Sequence, residues 1–121
     1  MQPLSLPKEQ IEFSEFLEIE KKLDIRIGMI VDAERIPKTD KLLKLQVIFG
    51  PEAEDVKTVV TNLGEKFEPD FFKGLKCPFI MNLKPVVMKG IESQAMIMVG
   101  TLRNGNVVPE MCEYETGTTL M

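Results

Sequence analysis

Lysine side chains are the groups of this chain best suited to bind a polyanion. They are concentrated in two segments, residues 38–44 and residues 73–89. An ammonium group that neutralises a phosphate releases condensed counterions, and this release drives much of the binding to nucleic acids. Four lysines are the candidates for phosphate contact, with ordinary solvated positions as the alternative: Lys41, Lys44, Lys84 and Lys89.

The total charge opposes this interpretation, because the chain carries a formal net charge of -4. The acidic residues are unevenly distributed, however, and are concentrated in residues 9–20 and 110–115. A local positive face on an acidic protein is therefore compatible with the sequence, since the local field and not the total charge acts on a bound anion.

The residues most often used in catalysis and metal binding are scarce. Histidine is absent from the sequence, which excludes histidine-dependent nucleophilic mechanisms and removes the commonest metal ligand. Cys77 and Cys112 are far apart and form no CxxC motif, so neither a zinc site nor a redox motif is indicated. The sequence favours a protein that is not an enzyme and has no metal or cofactor, although carboxylate-based or lysine-based catalysis remains open.

Length and composition predict one globular domain. The chain has 121 residues, 44% of them hydrophobic, and no apolar run near the ~20 residues of a membrane helix. No signal peptide is recognisable at the start, and no disulfide framework is indicated, so we expect a cytoplasmic protein. We predict a flexible arm over residues 1–12 and a single domain over residues 13–121.

Hydrophobic periodicity predicts a mainly β domain preceded by one helix. Ser14 is a candidate N-cap for a helix that ends near Lys22. A period of two begins at Asp24, and Gly28 within this strand indicates a bulge or bend. Five strands are predicted, over residues 25–33, 43–49, 57–61, 77–83 and 94–102.

The connections between these strands restrict the fold further. Residues 62–76 contain Pro69 and Gly74 and predict a loop with a short helical turn, whereas residues 82–93 are interpreted as a loop. Asn104-Gly105 predicts an added hairpin that returns Val107 and Val108 beside the fifth strand. Five strands with a helical interruption between the third and fourth suit an OB-fold barrel, although periodicity alone does not exclude an SH3-like barrel.

Two long motifs indicate a family. The first is DIRIG at residues 24–28, followed by Ala33-Glu34, Pro37 and DKLLKL at residues 40–45. The second is NLKPVVMKGIESQAMI at residues 82–97. Together they resemble the signature of the tRNA-binding domain family, which includes the C-terminal domain of methionyl-tRNA synthetases and free-standing tRNA-binding proteins.

The resemblance implies a fold, a ligand and a mode of assembly. It implies an OB-fold barrel that binds tRNA by its shape and backbone, with a methionyl-tRNA synthetase chain as a further partner. Members of the family dimerise through segments outside the barrel, so the helix over 14–22 and the tail after Val108 are candidates for a homodimer interface.

The resemblance also adds three residues to the candidate site. Ser93 and Met96 match positions associated with tRNA contact, with a turn serine and a core methionine as the alternative. Asn82 either meets the RNA or closes its own turn by hydrogen bonds to the backbone. The predicted tRNA-binding residues are thus Lys41, Lys44, Asn82, Lys84, Lys89, Ser93 and Met96.

Two positions depart from the family pattern and support a second hypothesis. Val87 stands where relatives usually have a basic residue, and Ala95 stands where many have glycine. With the acidic net charge, Val87 favours an alternative in which the same fold is a dimeric interaction or chaperone-like protein that binds RNA weakly or not at all. The sequence leaves open whether the chain is free-standing or part of a synthetase.

Overall fold

The computed structural model describes residues 7–50 and 56–120. The arm predicted over residues 1–12 lies partly outside this range, and residues 7–12 have no regular secondary structure. Among the described residues, neither helix is long and apolar enough to cross a membrane.

Helix α1 spans Phe13–Glu20 and lies outside the barrel. The prediction that Ser14 caps this helix is wrong, because the chain enters the helix at Glu12, whose carbonyl accepts the N–H of Phe16 at 3.0 Å. Ser14 therefore lies within the first turn. None of the residues of α1 is buried, so its apolar side is not packed into the core of the barrel.

The strands are short except for the first, and they form one main sheet and two separate hairpins. In chain order they are β1 (Ile25–Arg35), β2 (Leu43–Ile48), β3 (Val56–Thr61), β4 (Lys76–Ile80), β5 (Val86–Met88), β6 (Ile91–Ser93), β7 (Met96–Ile97), β8 (Val99–Thr101), β9 (Val107–Pro109) and β10 (Thr119–Leu120).

Strand β1 holds the barrel together because it pairs on both sides. Its first part pairs with β4 and its second part pairs with β2, both antiparallel, which gives the strand order β3-β2-β1-β4-β7. A 3-10 turn (Leu63–Glu65) and the short helix α2 (Pro69–Phe72) connect β3 to β4. This is the five-stranded barrel with a helical interruption that the sequence predicted, and the OB-fold class is confirmed.

The irregularity in β1 lies three residues later than predicted. Ile30 pairs with Val47 and Asp32 pairs with Gln46, so Val31 is the extra residue of the bulge. Gly28 serves a different purpose. A Cβ at Gly28 would lie 2.6 Å from atoms of both Phe49 and Val47, so this glycine allows those side chains to pack against the backbone of β1.

The C-terminal third differs from the prediction in three respects. The predicted fifth strand is divided into β7 and β8, and β8 forms the expected hairpin with β9 around Asn104-Gly105. The segment interpreted as a loop contains the hairpin β5–β6. The tail, for which no strand was predicted, returns to pair β10 with Ile25 and Arg26 at the start of β1.

Cys77 is fully buried in the barrel core. Burial raises the pKa of its thiol to about 12, and the nearby Cys112 and Glu110 act in the same direction. The thiol therefore stays protonated at neutral pH and packs as a small apolar side chain beside Phe79 and Phe72, which are also fully buried.

We expect Gly28→Ala to lower the free energy of unfolding by about 1–3 kcal/mol, because the new methyl group must displace Phe49 and Val47. Gly100→Ala is the matched control, since a Cβ there would meet only Val108, at an ordinary 3.8 Å. Urea denaturation of both variants checks this. Equal stability of the two variants would show that the close packing at Gly28 is not required.

Candidate nucleic-acid interface

The hairpin β5–β6 determines the position of Lys89. Its turn consists of Lys89 and Gly90, with φ values of 51° and 80°. Positive φ at both central residues defines the type I′ turn, the geometry that matches the twist of a two-residue hairpin. Lys89 is thereby placed at the tip of the hairpin. A Lys-Gly pair between two short β-prone runs was the signal for this hairpin in the sequence, and it was missed.

Ser93 and Gln94 fasten this hairpin to β3. The Ser93 hydroxyl oxygen accepts the N–H of Val60 at 2.9 Å, and the hydroxyl donates to the carbonyl of Ala95 at 3.2 Å. Gln94 donates its N–H to the Thr58 carbonyl at 2.8 Å and accepts the Thr58 N–H on its side-chain oxygen at 2.8 Å. These bonds replace the ladder that a longer strand would provide, and they close the barrel between β3 and β6.

Ser93 is therefore placed behind the surface. Its exposed fraction is 7%, and its hydroxyl already has one donor and one acceptor partner inside the barrel. A direct bond from Ser93 to RNA stays a prediction. The geometry accounts for this motif serine by barrel closure instead.

Asn82 is exposed but has partners as well. Its side-chain oxygen accepts the N–H of Asp24 at 2.9 Å, and its amide donates to the carbonyl of Lys22. The side chain thus joins the end of β4 to the connection between α1 and β1. Contact between Asn82 and RNA stays a prediction. The alternative was that Asn82 closes its own turn, but its hydrogen-bond partners, Asp24 and Lys22, lie in a distant part of the chain.

Met96 lies on the surface, with 48% of its area exposed, so the alternative of a core methionine does not hold. It lines two adjacent clefts on the outer side of β3. The smaller cleft, of about 110 Å³, also borders Lys84, and the larger one measures about 290 Å³. Val60, Met88 and Met96 line both, so the two clefts adjoin at these residues.

Lys41 and Lys44, the other two candidate lysines, lie before and within β2, and each forms an ion pair with a glutamate. Lys44 stands opposite Val60 in the β2–β3 ladder and therefore shares its face. Its ammonium group lies 2.6 Å from a Glu34 oxygen, and that of Lys41 lies 3.9 Å from Glu65. Such exposed pairs are worth only about 0–1 kcal/mol, so a phosphate can compete for either lysine.

Lys84 and Lys89 differ from Lys41 and Lys44. Within residues 7–50 and 56–120, neither forms an ion pair, and both are exposed. Lys73, at the start of the same lysine-rich segment, is bound to Asp70 at 3.0 Å and Asp32 at 3.7 Å. The hydrogen bond and charge of Asp70, followed by Asp32, raise the pKa of Lys73. Of the remaining lysines of this segment, Lys76 is half-buried in β4, so Lys84 and Lys89 are its exposed lysines without an ion pair among the described residues.

The site consists of exposed lysines around apolar clefts, carried by a small barrel, and it contains no group of metal-ligating side chains in the described part of the chain. This combination defines an OB-fold binding module for nucleic acid. A family model described as "Putative tRNA binding domain" matches residues 25–118. The chain therefore belongs to the tRNA-binding domain family, and the resemblance found in its motifs is confirmed.

The curated relatives are much longer proteins. A methionine–tRNA ligase of Flavobacterium johnsoniae is 41% identical over 101 residues, which are 84% of this chain and 13% of that protein. A methionine–tRNA ligase of Methanococcoides burtonii is 40% identical over 109 residues, which are 90% of this chain and 15% of that protein. The chain thus corresponds to a small part of each enzyme.

Among solved structures, a MetRS-related protein from Pyrococcus horikoshii is 31% identical, with a TM-score of 0.79 over 94% of this chain and 100% of that chain. A chaperone CsaA from Bacillus anthracis gives a TM-score of 0.73 at 24% identity, over 93% of this chain and 100% of that chain. At this lower identity the likeness extends to the fold alone.

The positive φ of Lys89 is a source of backbone strain that can be tested by mutation. A non-glycine residue at positive φ is unfavourable by about 1–2 kcal/mol, whereas Asn tolerates this conformation and Asn-Gly is the preferred type I′ pair. We expect Lys89→Asn to raise the free energy of unfolding by about 0.5–1 kcal/mol in thermal denaturation. Lys84→Asn is the control and should bring no gain. A less stable Lys89→Asn variant would contradict the turn geometry.

Proposed function

We propose that this domain binds tRNA through Lys84 and Lys89 and thereby aids a methionyl-tRNA synthetase, either as part of the same chain or as a separate protein. The observation that carries the proposal is a pair of lysines that form no ion pair among the described residues. Lys89 lies at the tip of a preformed hairpin, and Lys84 lies just before that hairpin, at the cleft that the exposed Met96 also lines, in a chain of the tRNA-binding domain family. The ligase relatives supply the synthetase as the partner. Action with tRNA and a synthetase places the protein in the cytoplasm.

The contacts divide into two kinds. Lys84 and Lys89 provide the electrostatic capture, and Lys41 and Lys44 add to it once their acidic partners give way to phosphate. Met96 provides apolar contact, since a thioether adapts to irregular surfaces. We assign Ser93 and Asn82 to positioning, because their polar atoms are engaged within the barrel. Phosphate contacts carry no sequence information, so such binding follows the shape of tRNA and not its identity.

The separation of charge in the chain makes this binding compatible with its acidic total. The glutamates of α1 lie on a helix outside the barrel. Lys84 precedes the hairpin and Lys89 lies in its turn, and Glu92 is the acidic residue of the two hairpin strands. At moderate ionic strength the Debye length is about 8–10 Å, so charges elsewhere on the molecule are largely screened at the hairpin. The local cations then determine the attraction for phosphate.

We expect Lys84→Glu combined with Lys89→Glu to weaken tRNA binding roughly tenfold or more, because two cations become anions facing the phosphates. The slope of log K against log salt concentration should fall by about 1.8 in magnitude if each lysine contacts one phosphate. Fluorescence anisotropy with tRNA at several salt concentrations measures both quantities, with duplex DNA of similar length as a comparison ligand.

Lys8→Glu combined with Lys21→Glu is the matched control, since it changes the net charge by the same amount at two exposed positions. Lys8 precedes α1 and Lys21 is its C-cap. This control should retain most of the affinity. Unchanged tRNA binding in the hairpin variant, with circular dichroism showing an intact fold, would refute the assignment of the site.

The alternative function is an interaction or chaperone-like protein. The observation that favours it is the exposure of apolar side chains on both faces of β5, where the consecutive residues Val86 and Val87 are 55% and 66% exposed. It predicts peptide binding that resists moderate salt and no binding of tRNA even at low salt. The same anisotropy series therefore discriminates between the two functions.

We further propose a homodimer formed through α1 and the C-terminal strand. A groove of about 400 Å³ is lined by Phe16, Ile19, Leu23, Ile25 and Leu120, and the helix presents its apolar side to solvent. Phe13, at the start of the helix, is 72% exposed. Contiguous exposed apolar surface of this kind is characteristic of an interface, and the same helix on a second copy offers the complementary surface.

We expect Phe16→Glu to shift the protein from dimer to monomer in size-exclusion chromatography with light scattering, because a carboxylate would be buried in the interface. Phe71→Glu is the control, because Phe71 has nearly the same exposure, 43% against 45%, but lies on α2. A monomeric parent protein, or an equal effect of both changes, would argue against this interface.

A further inference from the structure

The larger of the two clefts beside Met96 has a composition that phosphate binding does not require. Its walls are apolar and are formed mainly by Leu42, Met88, Met96, Val99 and Val107. Two polar side chains, Thr61 and Asn62, contribute to the lining at the end of β3. A lysine-based phosphate site would need neither the apolar walls nor these polar groups.

The amide of Asn62 is free to bind a ligand. Asn62 precedes the 3-10 turn at its N-cap position, yet its side chain makes no capping hydrogen bond and is exposed. Within the described ranges, its amide has no hydrogen-bonded partner, in contrast to Asn82. An amide group offers two donors and an acceptor, the combination that pairs with the edge of a nucleobase.

The position of the cleft relative to the lysines indicates which ligand fits. Leu42, which follows Lys41, lines one side of the cleft, and Met88, which precedes Lys89, lines another. Lys44 stands opposite the lining residue Val60 in the β2–β3 ladder, and Lys84 lines the adjoining cleft. Lysines are thus contributed from two sides of the clefts, as phosphates lie on both sides of a base in a nucleic acid strand. An apolar peptide side chain would match the walls but would have no use for the flanking cations.

We propose that this cleft binds one unpaired nucleobase of the RNA, with a base face against Met96 and Val99 and a base edge at the Asn62 amide. The inference rests on the proposed tRNA binding and adds to it a contact with a base. Unpaired bases at the corners and loops of folded RNA can be turned outward into such clefts, which is the usual way in which proteins contact RNA bases.

The direct test uses nucleotides as probes and NMR as the readout. The four ribonucleoside 5′-monophosphates are added separately to the labelled protein, with ribose 5-phosphate as the control that lacks only the base. We expect at least one nucleotide to shift the Asn62 side-chain amide and the Met96 methyl signals at millimolar concentration, and ribose 5-phosphate to leave them in place. Equal shifts with ribose 5-phosphate, or none with any nucleotide, would overturn the proposal.

The second test measures tRNA affinity for Asn62→Ala across a salt series. A lost base contact should weaken binding about tenfold at every salt concentration and leave the salt slope unchanged, because no phosphate contact is removed. Gln10→Ala removes an exposed amide from the segment before α1 and should bind like the parent. Asn62 is exposed and caps nothing, so the fold should survive its replacement, as thermal denaturation can verify.

The outcomes separate this inference from the proposed function. If Lys84 and Lys89 are required for tRNA binding but Asn62→Ala and the nucleotides have no effect, the tRNA function is supported and the proposed base site is refuted. If the parent protein binds no tRNA but a nucleotide shifts the cleft signals as described, the cleft stands and the tRNA assignment falls. If an apolar peptide shifts these signals and no nucleotide does, the cleft is a peptide site and the proposal is wrong.

Discussion

The barrel is closed by side chains where its strands are too short to pair. Ser93 and Gln94 take over the hydrogen bonds of β3 at Val60 and Thr58. Open strand edges expose unpaired backbone groups, so closure at this position stabilises the sheet and excludes a further strand. The same two residues fix the hairpin β5–β6 against β3. The location of Lys84 and Lys89, and both clefts that border Met96, therefore depend on this closure.

The dependence of the site on closure changes the interpretation of the family motif. A serine in a family binding motif is readily interpreted as a ligand contact. Ser93, however, is buried, and its hydroxyl already accepts one hydrogen bond and donates another. Its replacement would act on RNA binding through the hairpin that carries Lys89. A loss of binding on mutation of such a residue is therefore compatible with a positioning role and does not by itself identify a contact.

The parts of the fold that follow from local patterns were predictable from the sequence. Alternation identified β1 and β2, β-branched residues identified β3, and Asn104-Gly105 identified the hairpin β8–β9, because strand period, residue type and turn chemistry are local properties. The bulge was misplaced at Gly28 because a glycine in a strand has two common explanations, a bulge or close packing. Only the position of Phe49 in space distinguishes them.

The candidate site was less predictable, since it depends on contacts between distant segments. The lysines could be chosen by charge, but the ion pairs of Lys44 with Glu34 and Lys73 with Asp70 could not be foreseen from composition. Asn62 had no local feature that distinguished it from any other loop asparagine. It gains significance only because Met96 and Val99 are brought beside it by the barrel. The pairing of β10 with β1 was missed for the same reason.

If Lys84 and Lys89 make the proposed phosphate contacts, they neutralise few phosphates, so the electrostatic part of the affinity is small and is weakened further by salt. An acidic domain of this kind gains from binding energy that salt does not screen. Apolar clefts between two groups of cations are a source of such energy, because contact with a base buries apolar surface and is insensitive to ionic strength. The turn fixes the backbone of Lys89 in advance, so the proposed binding would order only the side chain of this residue. In this molecule the rigidity of the closed barrel thus compensates for the scarcity of positive charge.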